Sequence, residues 1–194
     1  MRTTLLALFL TLGGGVAQAQ SANRLEAAFF DGGSWRSSDL SKVPFWNDLL
    51  RREGRPVIAV TPQTPDEALL ARINGQINAS RFRDDAGSAD HWETPEELRV
   101  RGGDCEDFAV AKYFALRAAG VSPDAMWIAV VVDERTNQRH AVLLVQLPGG
   151  VETLDNLHSE VTPIEALAGY RPILAVNENA WQLAKPALRQ IASR

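Results

Sequence analysis

The chain has 194 residues, with 20 Lys and Arg against 24 Asp and Glu, a formal net charge of −4 and a single cysteine. This length fits one domain with a proper core, and hydrophobic and charged contents of 45% and 23% exclude a disordered chain. A mildly acidic chain without a basic stripe does not fit nucleic-acid binding, and one cysteine excludes an intrachain disulfide or a multi-cysteine metal site.

Residues 1–19 are typical of a secretory signal. Arg2 gives the positive start, residues 5–12 form a short apolar run, and Ala17-Gln18-Ala19 is a cleavage site that predicts a mature chain from Gln20. The apolar run is far shorter than the ~20 residues of a membrane-spanning helix. We therefore expect an exported protein that does not span the membrane. In an oxidising compartment its single thiol is buried, paired with another chain, or reactive.

Helix signals dominate the first part of the chain. A short helix is predicted over residues 45–52. Thr64-Pro65-Asp66-Glu67 and Thr94-Pro95-Glu96-Glu97 are both helix starts, in which a Thr N-cap is followed by Pro and the capping box is closed by Glu. The first of these helices is predicted to run to about Ala79, and the second to end at Arg101-Gly102-Gly103.

A fourth helix follows directly, with Asp104 as its N-cap and Gly120 as its stop. Residues 108–119 are apolar nearly all round, so this helix is expected to be central and buried.

Strand signals dominate the second half. Runs rich in β-branched residues predict four strands, at Met126–Asp133, Gln138–Leu147, Val151–Asp155 and Arg171–Asn177. Helices followed by strands indicate an α+β domain. We predict a single domain over residues 20–194, in which a helical N-terminal lobe, about residues 20–120, packs on an antiparallel sheet in a β-rich lobe, about residues 121–194.

Cys105 is the strongest candidate for chemistry. With Asp104 as N-cap, it lies in the first turn of the central helix, where the helix dipole and the unpaired N–H groups favour a thiolate. Gly102-Gly103 before it would leave the thiol side open to a substrate backbone. The alternative is a small buried cysteine, which fits poorly beside carboxylates and glycines.

A cysteine nucleophile needs a base and a group that orients the base. The chain has three histidines: His91 and His158 lie in predicted loops, whereas His140 lies within a predicted strand. Asp155, at the end of the next strand, would orient His140. We therefore predict Cys105 as nucleophile, His140 as base and Asp155 as orienting acid. Alternatively, His140 is a strand histidine without a catalytic role and Asp155 is a turn former.

Acidic residues crowd this cysteine. From Asp84 to Asp107 there are nine acids and two bases, and like charges oppose the formation of a thiolate. Asp104, Glu106 and Asp107 are the nearest acids in sequence. They form either a solvated face with a capping acid or a site for a hard cation such as calcium, whose charge would cancel the unfavourable field.

Several segments resemble a known family, the bacterial transglutaminase-like cysteine proteinases. The most specific part of the likeness is the run Gly-Asp-Cys-Glu-Asp-Phe that begins at Gly103, with Leu154-Asp155-Asn156 downstream. Further matches are residues 90–98, 112–117, 140–143 and 176–181. The resemblance implies a papain-like, transglutaminase-like cysteine proteinase fold over most of the chain.

The resemblance also implies a site and a role. Cys105, His140 and Asp155 would form the catalytic triad. Asp104 and Glu106 would help to bind a calcium ion required for activity. In this family the protease is periplasmic and cuts the N-terminal region of a large surface adhesin, which releases cells from a biofilm. The periplasmic domain of an inner-membrane cyclic di-GMP receptor sequesters the protease.

Two residues near the site depart from the family. His91 stands where Tyr is usual, and Glu93 stands where Ala is usual. Among the aromatic residues, Trp92 is a candidate oxyanion donor, and Trp46 and Trp181 are candidate partner contacts, although the core is the default place for all three.

Two other functions stay open at this point. The same thioester could react with an amine, as in a transglutaminase-type acyl transferase. The chain could also be a non-catalytic periplasmic binding module that captures a receptor or an adhesin.

Overall fold

Seven antiparallel strands form one sheet in the computed structural model, which describes residues 29–30, 33–54, 63–85 and 91–185. The strands are β1 Ser34–Ser37, β2 Met126–Asp133, β3 Gln138–Gln146, β4 Val151–Leu154, β5 Thr162–Pro163, β6 Tyr170–Val176 and β7 Trp181–Ala184. Their order across the sheet is β1-β7-β6-β2-β3-β4-β5. The predicted secretory signal, residues 1–19, lies outside the described part of the chain.

The hairpin of β2 and β3 lies in the middle of the sheet. Its ladder runs from Met126 opposite Val145 to Asp133 opposite Gln138. The turn includes Asn137 in the left-handed region, with φ 56°. Both faces of these strands are covered, because helices pack on one face and further apolar residues on the other. The predicted hairpin, and helices on an antiparallel sheet, are therefore confirmed.

β1 is an edge strand that the sequence did not indicate. It pairs with β7, with Ser34 opposite Ala184 and Ser37 opposite Trp181. Its sequence, Ser-Trp-Arg-Ser, holds one large apolar residue, so the alternation that marks a half-buried strand is too short to recognise. The sheet thus includes a strand from the part of the chain assigned to the helical lobe. The boundaries of the lobes and of the single domain stay predictions.

The helices that precede the hairpin in the described ranges are α1 Pro44–Glu53, α2 Glu67–Asn78, α3 Pro95–Arg101 and α4 Cys105–Ala118. Thr94 and Asp104 cap α3 and α4 as predicted. The prediction of Thr64 as the N-cap of α2 is wrong, because the Asp66 side chain caps the helix and accepts the N–H of Leu69 at 2.7 Å. None of the helices in the described residues is long and apolar enough to cross a membrane.

α4 is buried on almost all sides and joins the other helices to the sheet. Ten of its 14 residues are buried, which confirms the predicted central helix. Val110, Tyr113 and Leu116 belong to the core between the helices and the sheet, and α4 packs on α2, α3, β2 and β3. The first residue of α4, Cys105, is thereby brought to the sheet.

The two tryptophans suggested as partner contacts have structural partners. Trp46 is fully buried, and its indole N–H donates to the carbonyl of Asn177 at 2.8 Å. Trp46 therefore has the core position that was its default, and it is not exposed to a partner. Trp181 is half-buried, and its indole N–H donates to the carbonyl of Asp39 at 2.9 Å.

Candidate active site

Cys105 is the first residue of α4, and one carboxylate holds the backbone before it. Asp107 accepts the N–H of Asp104 at 3.0 Å and the N–H of Glu93 at 2.7 Å. Asp107 is buried in the first turn of the helix. The partly exposed thiol is thus carried on a fixed helix start.

The two glycines before the thiol are needed for packing within the loop. Gly102 has φ +77°, and a side chain there would collide with the carbonyl of Arg81. At Gly103, a Cβ would collide with the carboxylates of Asp107 and Glu93. These contacts are reason enough for the two glycines. An open thiol side for a substrate backbone stays a prediction.

β3 and β4 bring His140 and Asp155 together. The strands pair antiparallel, with Leu143 opposite Leu154, so the residue after β4 reaches the start of β3. His140 Nε2 lies 2.8 Å from Asp155 Oδ1, and both side chains are buried. Because the carboxylate engages Nε2, Nδ1 is the ring nitrogen left to exchange a proton with a nucleophile.

Asp155 is held in its ionised form. Burial alone would raise the pKa of Asp155, but the hydrogen bond and charge of His140 and the N–H of Leu157, 2.9 Å from Oδ1, together bring that pKa below its usual value. His158 adds to this effect from 4.0 Å, although its ring is exposed. An ionised Asp155 keeps a proton on Nε2 of His140, which leaves Nδ1 able to act as a base.

Tyr170, the first residue of β6, contacts both members of this pair. Its ring lies edge-on to the His140 imidazole with centroids 5.6 Å apart, and its hydroxyl donates to Asp155 Oδ2 at 3.3 Å. Burial and the charge of Asp155 raise the pKa of Tyr170 to about 12, so the hydroxyl keeps its proton. The sequence analysis missed Tyr170, because a Tyr at a strand start carries no signal of its tertiary partners.

Cys105 is held in the thiol form by its surroundings. Its thiol donates to Glu106 Oε2 at 3.1 Å. Burial raises the pKa of Cys105, the charges of Glu106 and Asp104 raise it further, and the backbone N–H of Ala141 acts in the opposite direction. Ala141 follows His140 on β3, so the sulfur lies beside the strand that carries the imidazole. The sequence predicted that the neighbouring acids oppose the formation of a thiolate, and their positions in the structure have this effect.

Two carboxylates beside the thiol have the chemistry of a cation site. Ligand atoms of Asp104, Cys105 and Glu106 lie within 4.8 Å of one another. Carboxylate oxygens are the donors that calcium prefers, so this donor set fits a hard cation. Asp107 is not part of this donor set, because its oxygens accept backbone N–H groups. Burial and a hydrogen bond with the Glu93 side chain raise the pKa of Asp107 to about 8.

The remaining histidines and Trp92 lie outside the His140 pair. His91 and His158 both have exposed rings. Trp92 is buried, with its ring against Phe45 and Trp46. This is the core place that the sequence analysis weighed against an oxyanion role for Trp92.

The chain is similar to proteins of known class. Its sequence matches the family of bacterial transglutaminase-like cysteine proteinases over residues 52–182. Calcium-bound LapG from Legionella pneumophila has a similar structure, with a TM-score of 0.57 and 27% identity over 86% of this chain and 87% of LapG. EGTA-treated LapG from the same organism has a TM-score of 0.58 and 26% identity, over 88% of this chain and 87% of LapG. A further structure of Legionella pneumophila LapG has a TM-score of 0.57 and 25% identity, over 91% of this chain and 94% of LapG. No curated protein matches the sequence.

Proposed function

The chain belongs to the bacterial transglutaminase-like cysteine proteinases, and we propose that it is a calcium-dependent periplasmic endopeptidase with Cys105, His140 and Asp155 as its catalytic triad. The predicted family, the transglutaminase-like fold and the cysteine-peptidase class are confirmed. The observation that carries the proposed triad is the 2.8 Å contact between His140 Nε2 and Asp155 Oδ1, with a cysteine at a helix start beside the same strand.

The proposed reaction begins with a proton transfer. His140 Nδ1 takes the proton of Cys105, while the carboxylate of Asp155 stabilises the imidazolium through Nε2–H. The thiolate attacks a peptide carbonyl carbon, and the backbone N–H of Cys105 donates to the oxygen that becomes negative. The imidazolium then protonates the leaving amine, which leaves a thioester on Cys105. A water that gives its proton to His140 hydrolyses the thioester, releases the second product as an acid and restores the thiol.

Asp104 and Glu106 are the residues that would hold calcium. Their carboxylates lie beside the thiol. Burial is the largest cause of the raised pKa of Cys105, and the negative charges of these two carboxylates raise that pKa further. When bound, calcium supplies a positive charge that offsets these carboxylates and favours the thiolate. The hard oxygen donors and the likeness to LapG, which has calcium-bound and EGTA-treated forms, support this ion.

The proposed substrate, partner and location are those that the resemblance to the family implies. A protease acts on a protein, and the proposed substrate is the N-terminal region of a large surface adhesin, whose cleavage would release cells from a biofilm. The proposed sequestering partner is the periplasmic domain of an inner-membrane cyclic di-GMP receptor. The predicted signal at residues 1–19 supports export to the periplasm. Membership of the family supports the substrate and the partner.

Removal of calcium should strongly reduce the rate of cleavage. We expect EGTA to lower the rate on a mixture of fluorescence-quenched peptides by about a hundredfold, because an uncompensated pair of nearby negative charges raises a thiol pKa by about two units. Glu106→Gln should need more calcium for half-maximal activity. Glu96→Gln is the matched control, since Glu96 is exposed and paired with Arg99 at 2.6 Å. If activity and melting temperature are unchanged in EGTA, the acids do not bind a calcium ion that matters for function and form only a solvated face.

A labelled amine separates hydrolysis from acyl transfer. The chain is incubated with calcium, casein and a fluorescent primary amine, and the products are separated by size. The proposed function predicts shorter chains without incorporated label. Incorporation without cleavage would favour the acyl transferase. If a cysteine-directed probe leaves Cys105 unlabelled in calcium, the binding module is favoured.

Tyr170→Phe should lower kcat/KM about threefold to tenfold, because the change removes one hydrogen bond to Asp155 and keeps the ring on His140. The pKa of Asp155 should rise with the loss of this donor, which moves the acid limb of the pH–rate profile to higher pH. Initial rates measured from pH 9 down to about pH 3, the range in which a carboxyl group titrates, measure the shift, with Tyr170→Ala as the variant that also removes the ring. Identical profiles for Tyr170→Phe and the wild type would exclude a role for the hydroxyl.

A further inference from the structure

Phe82 is an exposed aromatic residue that the proposed chemistry does not use. It is 54% exposed, and the other exposed large apolar residues in the described part of the chain are Trp35, Val100 and Leu157. A single exposed apolar side chain is ordinary in itself, so its position decides whether it has a function.

The backbone of Phe82 lies against the loop that leads to Cys105. Phe82 pairs with Gly103 in an isolated parallel β-bridge. The N–H of Gly103 donates to the carbonyl of Arg81 at 3.2 Å, and the N–H of Arg83 donates to the carbonyl of Gly103 at 2.9 Å. Paired strands lie about 4.8 Å apart, and two residues of extended chain span at most about 7 Å. The Cα atoms of Phe82 and Cys105 therefore lie within about 12 Å of each other.

The ring of Phe82 lies beside the first turns of α4. It stacks on the ring of Phe108, with centroids 6.5 Å apart and 30° between the ring planes. Phe108 follows Cys105 by three residues, so their side chains are neighbours on the helix surface. Phe108 is buried in a cluster with Leu98 and Ala111. The Phe82 ring is thus held on a fixed support next to the thiol and stays open to solvent.

The backbone groups of Phe82 itself face away from this loop. In the bridge the groups that bond to Gly103 belong to Arg81 and Arg83, so the N–H and C=O of Phe82 point to the opposite edge. Within the described ranges no group bonds to them. An extended peptide can pair with such an edge through its main chain, while its side chains enter the pockets beside it. A main-chain anchor and an apolar contact are therefore available to one bound peptide.

We propose that Phe82 is a specificity-determining residue of the hydrolytic site: its ring contacts an aliphatic or aromatic side chain of the substrate within four residues of the scissile bond. The inference rests on the proposed function, because it names a substrate feature for the same site. An extended peptide advances about 3.3 Å per residue, so about 12 Å corresponds to three or four residues from the carbonyl that Cys105 attacks. The contact buries apolar surface on both partners, which favours binding.

The test first measures which side chains the wild type accepts. A tryptic peptide library from a bacterial lysate is incubated with the protein and calcium, and mass spectrometry identifies the residues around each cleaved bond. We expect Leu, Ile, Val, Phe or Met to be enriched at one position within four residues of that bond. A well-cleaved peptide is then synthesised in an apolar form, with Leu at this position, and in forms with Ser or Asp there.

Phe82→Ala should remove the preference. We expect kcat/KM on the apolar peptide to fall about fivefold to tenfold through a higher KM with kcat kept, because the lost contact is made equally before and during the reaction. The rate on the Ser peptide should stay within about twofold of the wild-type rate. A role of Phe82 in packing alone would lower both rates by the same factor.

Phe82→Lys should change the preferred side chain. Its apolar stem still covers Phe108, and its ammonium attracts a carboxylate at the position where the ring contacted Leu. We therefore expect the Asp peptide to become a better substrate than the apolar peptide. If Phe82→Ala does not fold, Phe82→Lys is judged by this same ratio of rates.

Trp35→Ala is the matched control. Trp35 is an aromatic residue with 61% exposure on β1. Because β7, β6 and β2 separate β1 from β3, it lies about 19 Å across the sheet from the strand of His140. Its rates on the apolar and Ser peptides should equal those of the wild type.

Three results would overturn the inference: a wild type without an apolar preference, equal losses on the apolar and Ser peptides in Phe82→Ala, or the same loss of preference in Trp35→Ala. A wild type that cleaves no peptide in calcium would instead contradict the proposed function. That result is obtained before any variant is measured, so the two failures are distinguishable.

Discussion

Cys105→Ala should abolish peptide cleavage and leave the fold unchanged. The chain holds one cysteine, so no second thiol can replace the nucleophile. Without a thiol, the paired His140 and Asp155 have no group to deprotonate that could form a thioester. We expect kcat/KM to fall by about 10⁴-fold or more, as is usual for loss of a triad nucleophile. Rates on fluorescence-quenched peptides with calcium measure this loss.

The fold should tolerate this substitution. Alanine is a good helix former, and Cys105 is partly exposed at a helix start. The change removes the hydrogen bond that the thiol donates to Glu106, so the free energy of unfolding should change by less than about 1 kcal/mol. A thermal melt provides this control. Full activity in a folded Cys105→Ala protein would mean that the chemistry does not use the thiol.

His140→Ala should cause the second large loss. In the proposed mechanism the imidazole is the base for the thiol and the acid for the leaving amine, and loss of such a group lowers rates by about 10²-fold to 10⁴-fold. Asp155→Ala should also be severely impaired. The double variant should be no worse than His140→Ala alone, because Asp155 acts through the imidazole. Rates of the two single variants and the double variant at one pH measure this coupling.

His158→Ala is the matched control for His140→Ala. His158 also lies near Asp155, with 4.0 Å between Nε2 and Oδ2, but its ring is exposed. We expect its kcat/KM to stay within about threefold of the wild type, because an exposed pair contributes little. Equal losses in the two histidine variants would assign the effect to charge near Asp155 and would contradict a unique base.

Elements whose stabilising contacts lie within a few residues of one another could be predicted from the sequence. Thr94 closes a capping box with Glu97, because both partners lie within one turn of the same helix. The start of α2 was predicted wrongly, because Thr64 and Asp66 both satisfy the rules for an N-cap. β1 could not be predicted, because its place depends on pairing with β7 near the other end of the described chain.

The candidate site could be predicted in outline because its residue types are scarce. One cysteine and three histidines leave few combinations, and placement on a strand favoured His140. The contact of His140 with Asp155 follows from the antiparallel pairing of consecutive strands. Tyr170 could not be predicted, because only the assembled sheet brings its hydroxyl to Asp155.

The acids before Cys105 have different tasks. Three of them form ion pairs: Glu93 with Arg83, Glu96 with Arg99 and Glu97 with Arg52. Asp107 holds the backbone before Cys105. Asp104 and Glu106 are the acids whose carboxylates lie beside the thiol. The exposed Glu96 fits the solvated face, whereas Asp104 and Glu106 are the ligands of the proposed cation site. Sequence spacing alone could not separate these acids.

Alkylation of Cys105 by iodoacetamide tests the proposed nucleophile most directly, because the chain has no other thiol and the intact mass reports one site. With calcium at pH 7, well below the ordinary thiol pKa of about 8.5, we predict rapid alkylation, and much slower alkylation in EGTA and in His140→Ala. His158→Ala should react at the wild-type rate. The slow rate of an ordinary thiol, equal with calcium, with EGTA and in His140→Ala, would contradict a thiolate activated by His140.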